Sequence, residues 1–192
     1  MKKIALLFML VGVVFSAIGG YQFFKTQAAE KESLAEAHEL LEKKNEQAAI
    51  DPIDFNPSTN ETVGLLEIPS IDAELAIVEG TNPDDLEKGV GHYSDSAYPE
   101  QNDQIVLSGH RDTVFRSLGD VKIGDTFTMK LPHGDYTYEM VESKIVDADD
   151  TSIIKSTAPD EELVITTCYP FSYIGNAPDR YIIYAKPIDS DN

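Results

Sequence analysis

Glu162-Leu163-Val164-Ile165-Thr166-Thr167-Cys168-Tyr169-Pro170-Phe171 is a run of apolar and β-branched residues that closes on the chain's one cysteine and then on a proline. A run of this length and composition, ended by a turn-forming residue, reads as a strand over 162–167. The same texture recurs from Val63 onward, at 64–68, 73–78, 104–108, 126–131, 136–146 and 180–186, punctuated by Gly, Pro, Asn and Asp. One short helix fits 84–88, opened by Asn82-Pro83. Strands at close spacing with so little helix predict a mostly β domain, either a barrel or a sandwich.

Outside the β region the chain changes character. Lys2 and Lys3 precede an apolar run from Ile4 to about Phe24, long enough to cross a bilayer of about 30 Å at about 1.5 Å per residue. Its length and flanks favour an uncleaved anchor over a signal peptide cut near Thr26-Gln27-Ala28-Ala29. The two lysines, set against the acidic segment that begins at Glu30, place the N-terminus in the cytoplasm and all that follows Lys25 outside. Residues 28–49 carry Leu34, Ala37 and Leu41 at helical spacing, with Glu39 four residues before Lys43, and read as a solvated helical stalk in preference to the alternative, a docking or autoinhibitory arm over the active site. Asp51-Pro52 stops it, and 56–60 continue as linker. What remains is enough for one domain of ordinary size.

The formal net charge of -19 argues against nucleic acid as a partner, and against adhesion to anionic headgroups, because both require clustered Lys and Arg. It says little about other partners.

An exported protein with one cysteine has no intramolecular disulfide partner for it, so Cys168 calls for burial or chemistry. Chemistry at a thiol needs a base or a cationic neighbour. Of the four histidines, His38 lies on the charged stalk and His133 in the turn Pro132-His133-Gly134-Asp135, and both read as surface residues. His110 ends the apolar strand over 104–108 after Gly109, a position that fixes an imidazole yet exposes it. His92 is the reserve, read as a loop histidine bonded to backbone. Arg180 opens the last strand, just after the loop that leaves Cys168. If those two strands are antiparallel neighbours, thiol and guanidinium meet at one edge of the sheet.

Leu107-Ser108-Gly109-His110-Arg111-Asp112-Thr113, Ile165-Thr166-Thr167-Cys168 and the late Arg180 strand, in that order behind an N-terminal anchor, resemble the sortases of Gram-positive bacteria. The resemblance covers roughly residues 63–188. The longer blocks through Phe115, through Phe171 and over Ala177-Pro178-Asp179-Arg180 look most like the class D branch. It implies an eight-stranded β-barrel with short helices, and a Cys-His-Arg site that carries over as Cys168, His110 and Arg180. The domains it implies are 1–25 for cytoplasmic tip and anchor, 26–62 for stalk and linker, and 63–192 for the catalytic domain. Val-Ile-Thr-Thr-Cys departs from the more usual Thr-Leu-x-Thr-Cys. The lack of Trp and of an apolar C-terminal tail departs from pilus-building relatives.

The activity the resemblance implies is transpeptidation of exported proteins that carry a C-terminal Leu-Pro-x-Thr-Gly or Leu-Pro-x-Thr-Ala-like sorting signal, with an amine of a cell-wall precursor as acceptor. Thr167, and more remotely Thr166, are candidates to contact the signal, and Asp112 to support His110. No cofactor is expected, although Asp147, Asp149 and Asp150 form an acidic loop that could offer oxygens to calcium. Two other readings stay open: a cysteine peptidase of the same architecture that releases the acyl group to water, and a non-catalytic module that binds envelope proteins.

Overall fold

A computed structural model of the chain describes residues 2–43, 51–172, 175 and 177–188. Eight strands form the domain: β1 Thr62–Ile68, β2 Ala73–Glu79, β3 Val90–His92, β4 Gln104–Gly109, β5 Thr126–Leu131, β6 Gly134–Asp147, β7 Glu162–Tyr169 and β8 Asp179–Pro187. They close into a barrel in the order β1-β2-β3-β4-β7-β8-β6-β5. The pairs β2/β3 and β4/β7 are parallel. The other pairings are antiparallel.

Alternation along each strand builds the core. β5 alternates half-buried and buried residues throughout, so Phe127, Met129 and Leu131 point inward. Leu66, Ile68, Ile105, Leu107, Leu163, Ile165 and Ile183 join them, and Phe115 and Leu118 from the loop after β4 plug one end. β4, β7 and β8 are also covered outside, where Val106, Val164 and Ile182 form a second cluster under Tyr93 and Ile153. Strands buried on both faces read as continuous apolar runs, which is why 162–165 shows so little alternation in sequence.

Three expectations are corrected. β3 was read as a loop; it holds His92 on a strand, nearly fully buried, with Nδ1 2.7 Å from Glu79 Oε2 and Nε2 2.9 Å from the Ala97 carbonyl oxygen. Burial alone would raise the Glu79 carboxyl, but the bonds from His92, Ser94 and Tyr98 outweigh it and hold the pKa low. His133 was read as a surface residue; its ring is half-buried, 4.6 Å from the Phe55 ring and 5.6 Å from the Tyr136 ring, centroid to centroid.

The third correction concerns the stalk. Anchor and stalk form one helix, α1 Lys2–Glu42, and its outer half is docked rather than solvated. Ala37, with Leu34 and Leu41 beside it, packs on Leu65 of β1 and Ala76 of β2, residues on the outside of the barrel. Thr62 Oγ1 donates to Glu36 at 2.6 Å, and His38 Nε2 lies 3.5 Å from Glu74. The part of the predicted stalk at 44–49 lies outside the described residues. A second short helix, α2 Pro83–Leu86, opens on a capping box between Asn82 and Asp85, a little earlier than the helix read at 84–88.

Candidate active site

The register of three adjacent strands builds the site. β4 and β7 run parallel with Ser108 opposite Thr166 and Gly109 opposite Thr167, so the next step sets His110 beside Cys168. β7 and β8 run antiparallel with Thr166 opposite Ile182 and Cys168 opposite Arg180. Side chains alternate along a strand, so residues two beyond Ser108 and Thr166, and two before Ile182, share one face. That face continues outward from the Val106, Val164 and Ile182 cluster. Neighbouring strands lie about 4.8 Å apart, so the residues that carry imidazole, thiol and guanidinium stand in a row with the thiol in the middle, one strand spacing from each of the others.

His110, Arg111, Asp112, Cys168, Gly175, Ala177 and Arg180 line one cavity of about 280 Å³ at this rim. His110 is exposed; Cys168 and Arg180 are half-buried. Arg180 donates from Nη1, 3.0 Å to the Asp179 carbonyl oxygen and 3.4 Å to that of Ala177. Its other guanidinium donors face no described partner and are available to a developing oxyanion.

The loop after β4 is held from beneath. Gly109 is required there, because a Cβ would come within 2.6 Å of the Phe115 ring. The Phe115 amide donates to the His110 carbonyl at 3.0 Å, folding the chain back so that Phe115 enters the core.

The other residues singled out from sequence fall in different places. Thr167 is buried, and its Oγ1 donates to the Gly109 carbonyl at 2.7 Å, which ties the residue before Cys168 to the residue before His110. Thr166 is half-buried on the face of Cys168. Asp112 is exposed, with Oδ1 3.6 Å from Arg111 Nε. Asp147, Asp149 and Asp150 do not assemble as ligands. The Asp150 carboxylate accepts from the Ser152 amide, and among the described residues no group of three or more His, Cys, Asp or Glu could hold a metal ion.

Sequence reasoning assigned no role to Arg111. It is 6% exposed, donating from Nη1 to the Pro170 carbonyl at 3.0 Å and from Nη2 to the Gly175 carbonyl at 2.9 Å. It therefore clamps the loop that follows Cys168 to the loop that carries His110. Such charge-assisted bonds contribute about 1.5–3 kcal/mol each. Arg111→Ala is expected to lower the melting temperature and, by loosening the loops, to cut kcat by roughly 10- to 100-fold. Arg111→Lys, without the fork that reaches both carbonyls, is expected to recover only part of either. Thermal melts and turnover of both variants check this.

α1 also reaches the site. Glu30 and, from the loop after β4, Thr113 and Arg116 line one groove, and His110 is within electrostatic range of the Glu30 carboxyl. Burial pushes its carboxyl up from the usual 4.5, opposed by Thr113, Arg116 and His110. A carboxyl whose folded pKa is raised favours the docked state fully below its unfolded value, and that contribution is lost as pH rises through the folded value. Glu30→Gln is expected to abolish this dependence. In melts of the full chain in detergent, wild type should therefore lose stability relative to the variant on going upward in pH from the usual carboxylate range.

A model of the sortase domain matches residues 66–188, most of the folded part of the chain, and the chain belongs to the sortase family. Family members are cysteine transpeptidases. The chain is 52% identical over 198 residues to Sortase D of Bacillus subtilis (strain 168), covering 98% of this chain and all of that protein. Among solved structures it is similar to a Clostridium perfringens Sortase D5 transpeptidase, with a TM-score of 0.70, 26% identity, and coverage of 84% of this chain and 99% of that one. A Clostridium perfringens sortase C solved with the C-terminal cell wall sorting motif superposes with a TM-score of 0.63 at 25% identity, covering 91% of this chain and 99% of that one.

Proposed function

We propose that the chain is a membrane-anchored transpeptidase that cleaves a Leu-Pro-x-Thr-Gly or Leu-Pro-x-Thr-Ala-like signal on exported proteins and joins the acyl part to an amine of the cell wall or its precursor. The observation that carries this reading is the row His110, Cys168, Arg180 on adjacent strands, lining one cavity. The apolar first half of α1, exposed along its length, supports the anchor, with its N-terminus cytoplasmic and the barrel outside.

The reaction runs in two halves. The Cys168 thiolate attacks the carbonyl carbon of the signal's threonine, and Arg180 donates to the oxygen as it gains charge. The tetrahedral adduct collapses, the C–N bond breaks, and His110 gives its proton to the departing amine. This leaves a thioester on Cys168 and a neutral imidazole. The acceptor amine then attacks the thioester carbonyl, His110 takes the amine's proton, and the C–S bond breaks to return the thiolate.

Thr166, on the face of Cys168, is the better placed of the two threonines to touch the signal. Thr167 spends its hydroxyl on Gly109 and serves to hold the row in register. The decisive experiment incubates the protein with a signal peptide and an excess of a small amine. A joined product, together with a peptide adduct on Cys168 by mass spectrometry, is expected. Hydrolysis alone under saturating amine would favour the peptidase reading instead.

A further inference from the structure

His110 stands on the β4 side of Cys168 and Arg180 on the β8 side, so the two substrates have different sides from which to approach the thiol. The amine is the substrate whose proton His110 takes in the mechanism above, and it is admitted most directly on the β4 side. The loop that follows β4 meets a second cavity there. His110, Arg111 and Asp112 line the catalytic cavity, while Thr113, Val114 and Arg116 line a groove of about 750 Å³ between that loop, β2 and α1. One loop thus borders both.

Two oxygens in this groove lack a donor. Oε1 of Glu30, from α1, and Oγ1 of Thr113 are both screened from solvent, and neither has a hydrogen-bond partner among the described residues. Buried oxygens in that condition are uncommon, and a carboxylate oxygen is the less tolerable of the two. Arg116 attracts the Glu30 carboxylate but directs Nε and Nη2 to the Asp112 carbonyl oxygen. Leu34 and Leu75 add apolar walls to the groove. An apolar trough with a carboxylate and a hydroxyl beside it fits an alkyl stem ending in an ammonium group, which brings three donors and the compensating charge.

We infer that Glu30 and Thr113 form a subsite for a second cationic group on the amine substrate, several bonds away from the nitrogen that attacks the thioester. This rests on the transpeptidase reading above and adds the chemical class of the incoming amine: it is dibasic. A stem is needed between the two nitrogens, because Glu30 acts on His110 through charge alone, with no hydrogen bond between them. The covalent step keeps its balance. The attacking end first loses one proton to solvent, its nitrogen bonds to the thioester carbonyl carbon, His110 takes the second proton, and the C–S bond breaks to return the thiolate. The other end stays protonated at Glu30 before and during attack. The subsite therefore selects the amine without speeding the chemistry.

Competition in one tube tests this. The full chain in detergent receives a signal peptide with equal amounts of a six-carbon diamine and the six-carbon monoamine at neutral pH, and the two joined products are counted by mass spectrometry. Both amines draw on the same thioester, so the product ratio does not depend on how much protein is folded or acylated. Comparing ratios between proteins also cancels any uptake of the amines by micelles. Glu30→Gln is expected to lower the diamine-to-monoamine ratio by about tenfold. Gln27→Lys should lower it similarly, because it sets a resident ammonium on an exposed groove position three residues before Glu30 on the same helix. Glu139→Gln, exposed on β6 across the barrel from β3, removes the same charge elsewhere and should leave the ratio unchanged.

A ratio that stays at the wild-type value in Glu30→Gln and Gln27→Lys overturns the inference while leaving joining intact. So does an equal fall in Glu139→Gln, which would trace the effect to net charge. Should Glu30→Gln yield no product of either kind, Gln27→Lys decides. If the wild type hydrolyses the signal and joins neither amine, the transpeptidase reading fails first and the subsite falls with it.

Discussion

Replacing Cys168 with alanine is expected to abolish formation of the joined product, a loss on the order of 10⁴-fold or more, because it removes the thiol on which the proposed acyl intermediate forms. Stability should hardly move. Cys168 is half-buried at a strand end, outside the core clusters, and substitutions of that kind stay within about 0.5 kcal/mol. His110→Ala should fall nearly as far, and adding it to Cys168→Ala should cost nothing more, because in the proposed mechanism nucleophile and acid act as one unit. Single-turnover assays by mass spectrometry, with melts alongside, make the comparison. Retained transfer in Cys168→Ala would remove the thioester step from the mechanism.

Arg180→Lys should be the second most damaging change, lowering kcat by about 10²- to 10³-fold with a smaller effect on KM. Lysine keeps the charge but not the planar set of donors, and Arg180 already commits Nη1 to the carbonyls of Asp179 and Ala177. A lysine ammonium drawn to those carbonyls has no second arm to offer a developing oxyanion. If the variant kept more than about a tenth of wild-type kcat, charge alone would suffice and the donor geometry would not matter.

Much of this arrangement was legible in the chain, because it depends on period-two patterns and on strand order. The pairing of Cys168 with Arg180 follows from two successive apolar strands joined by a short connection, once they are antiparallel neighbours. The placement of His110 needed more, since β4 and β7 lie 58 residues apart by register, and only the family resemblance linked them in advance. β3 escaped notice because three residues, Val90–His92, give no periodicity to read. The docking of α1 was hidden for a different reason. Its apolar stripe was visible, but its partners, Leu65 and Ala76, sit on outward faces that look like ordinary strand residues. Arg111 was invisible because its two acceptors are backbone carbonyls, which carry no sequence signature.

The ring of eight strands has a last consequence, for how a peptide can be held. At the site β7 is paired on both sides, with β4 through Thr167 and with β8 through Tyr169, so beside Cys168 it presents no free row of amides and carbonyls to which an incoming extended segment could add itself. A target must then be gripped through its side chains and a few loop donors instead of by main-chain zippering. Discrimination between neighbouring sequences would accordingly fall on a handful of residues around the scissile bond, and a recognition code only a few letters long is what such a grip can read.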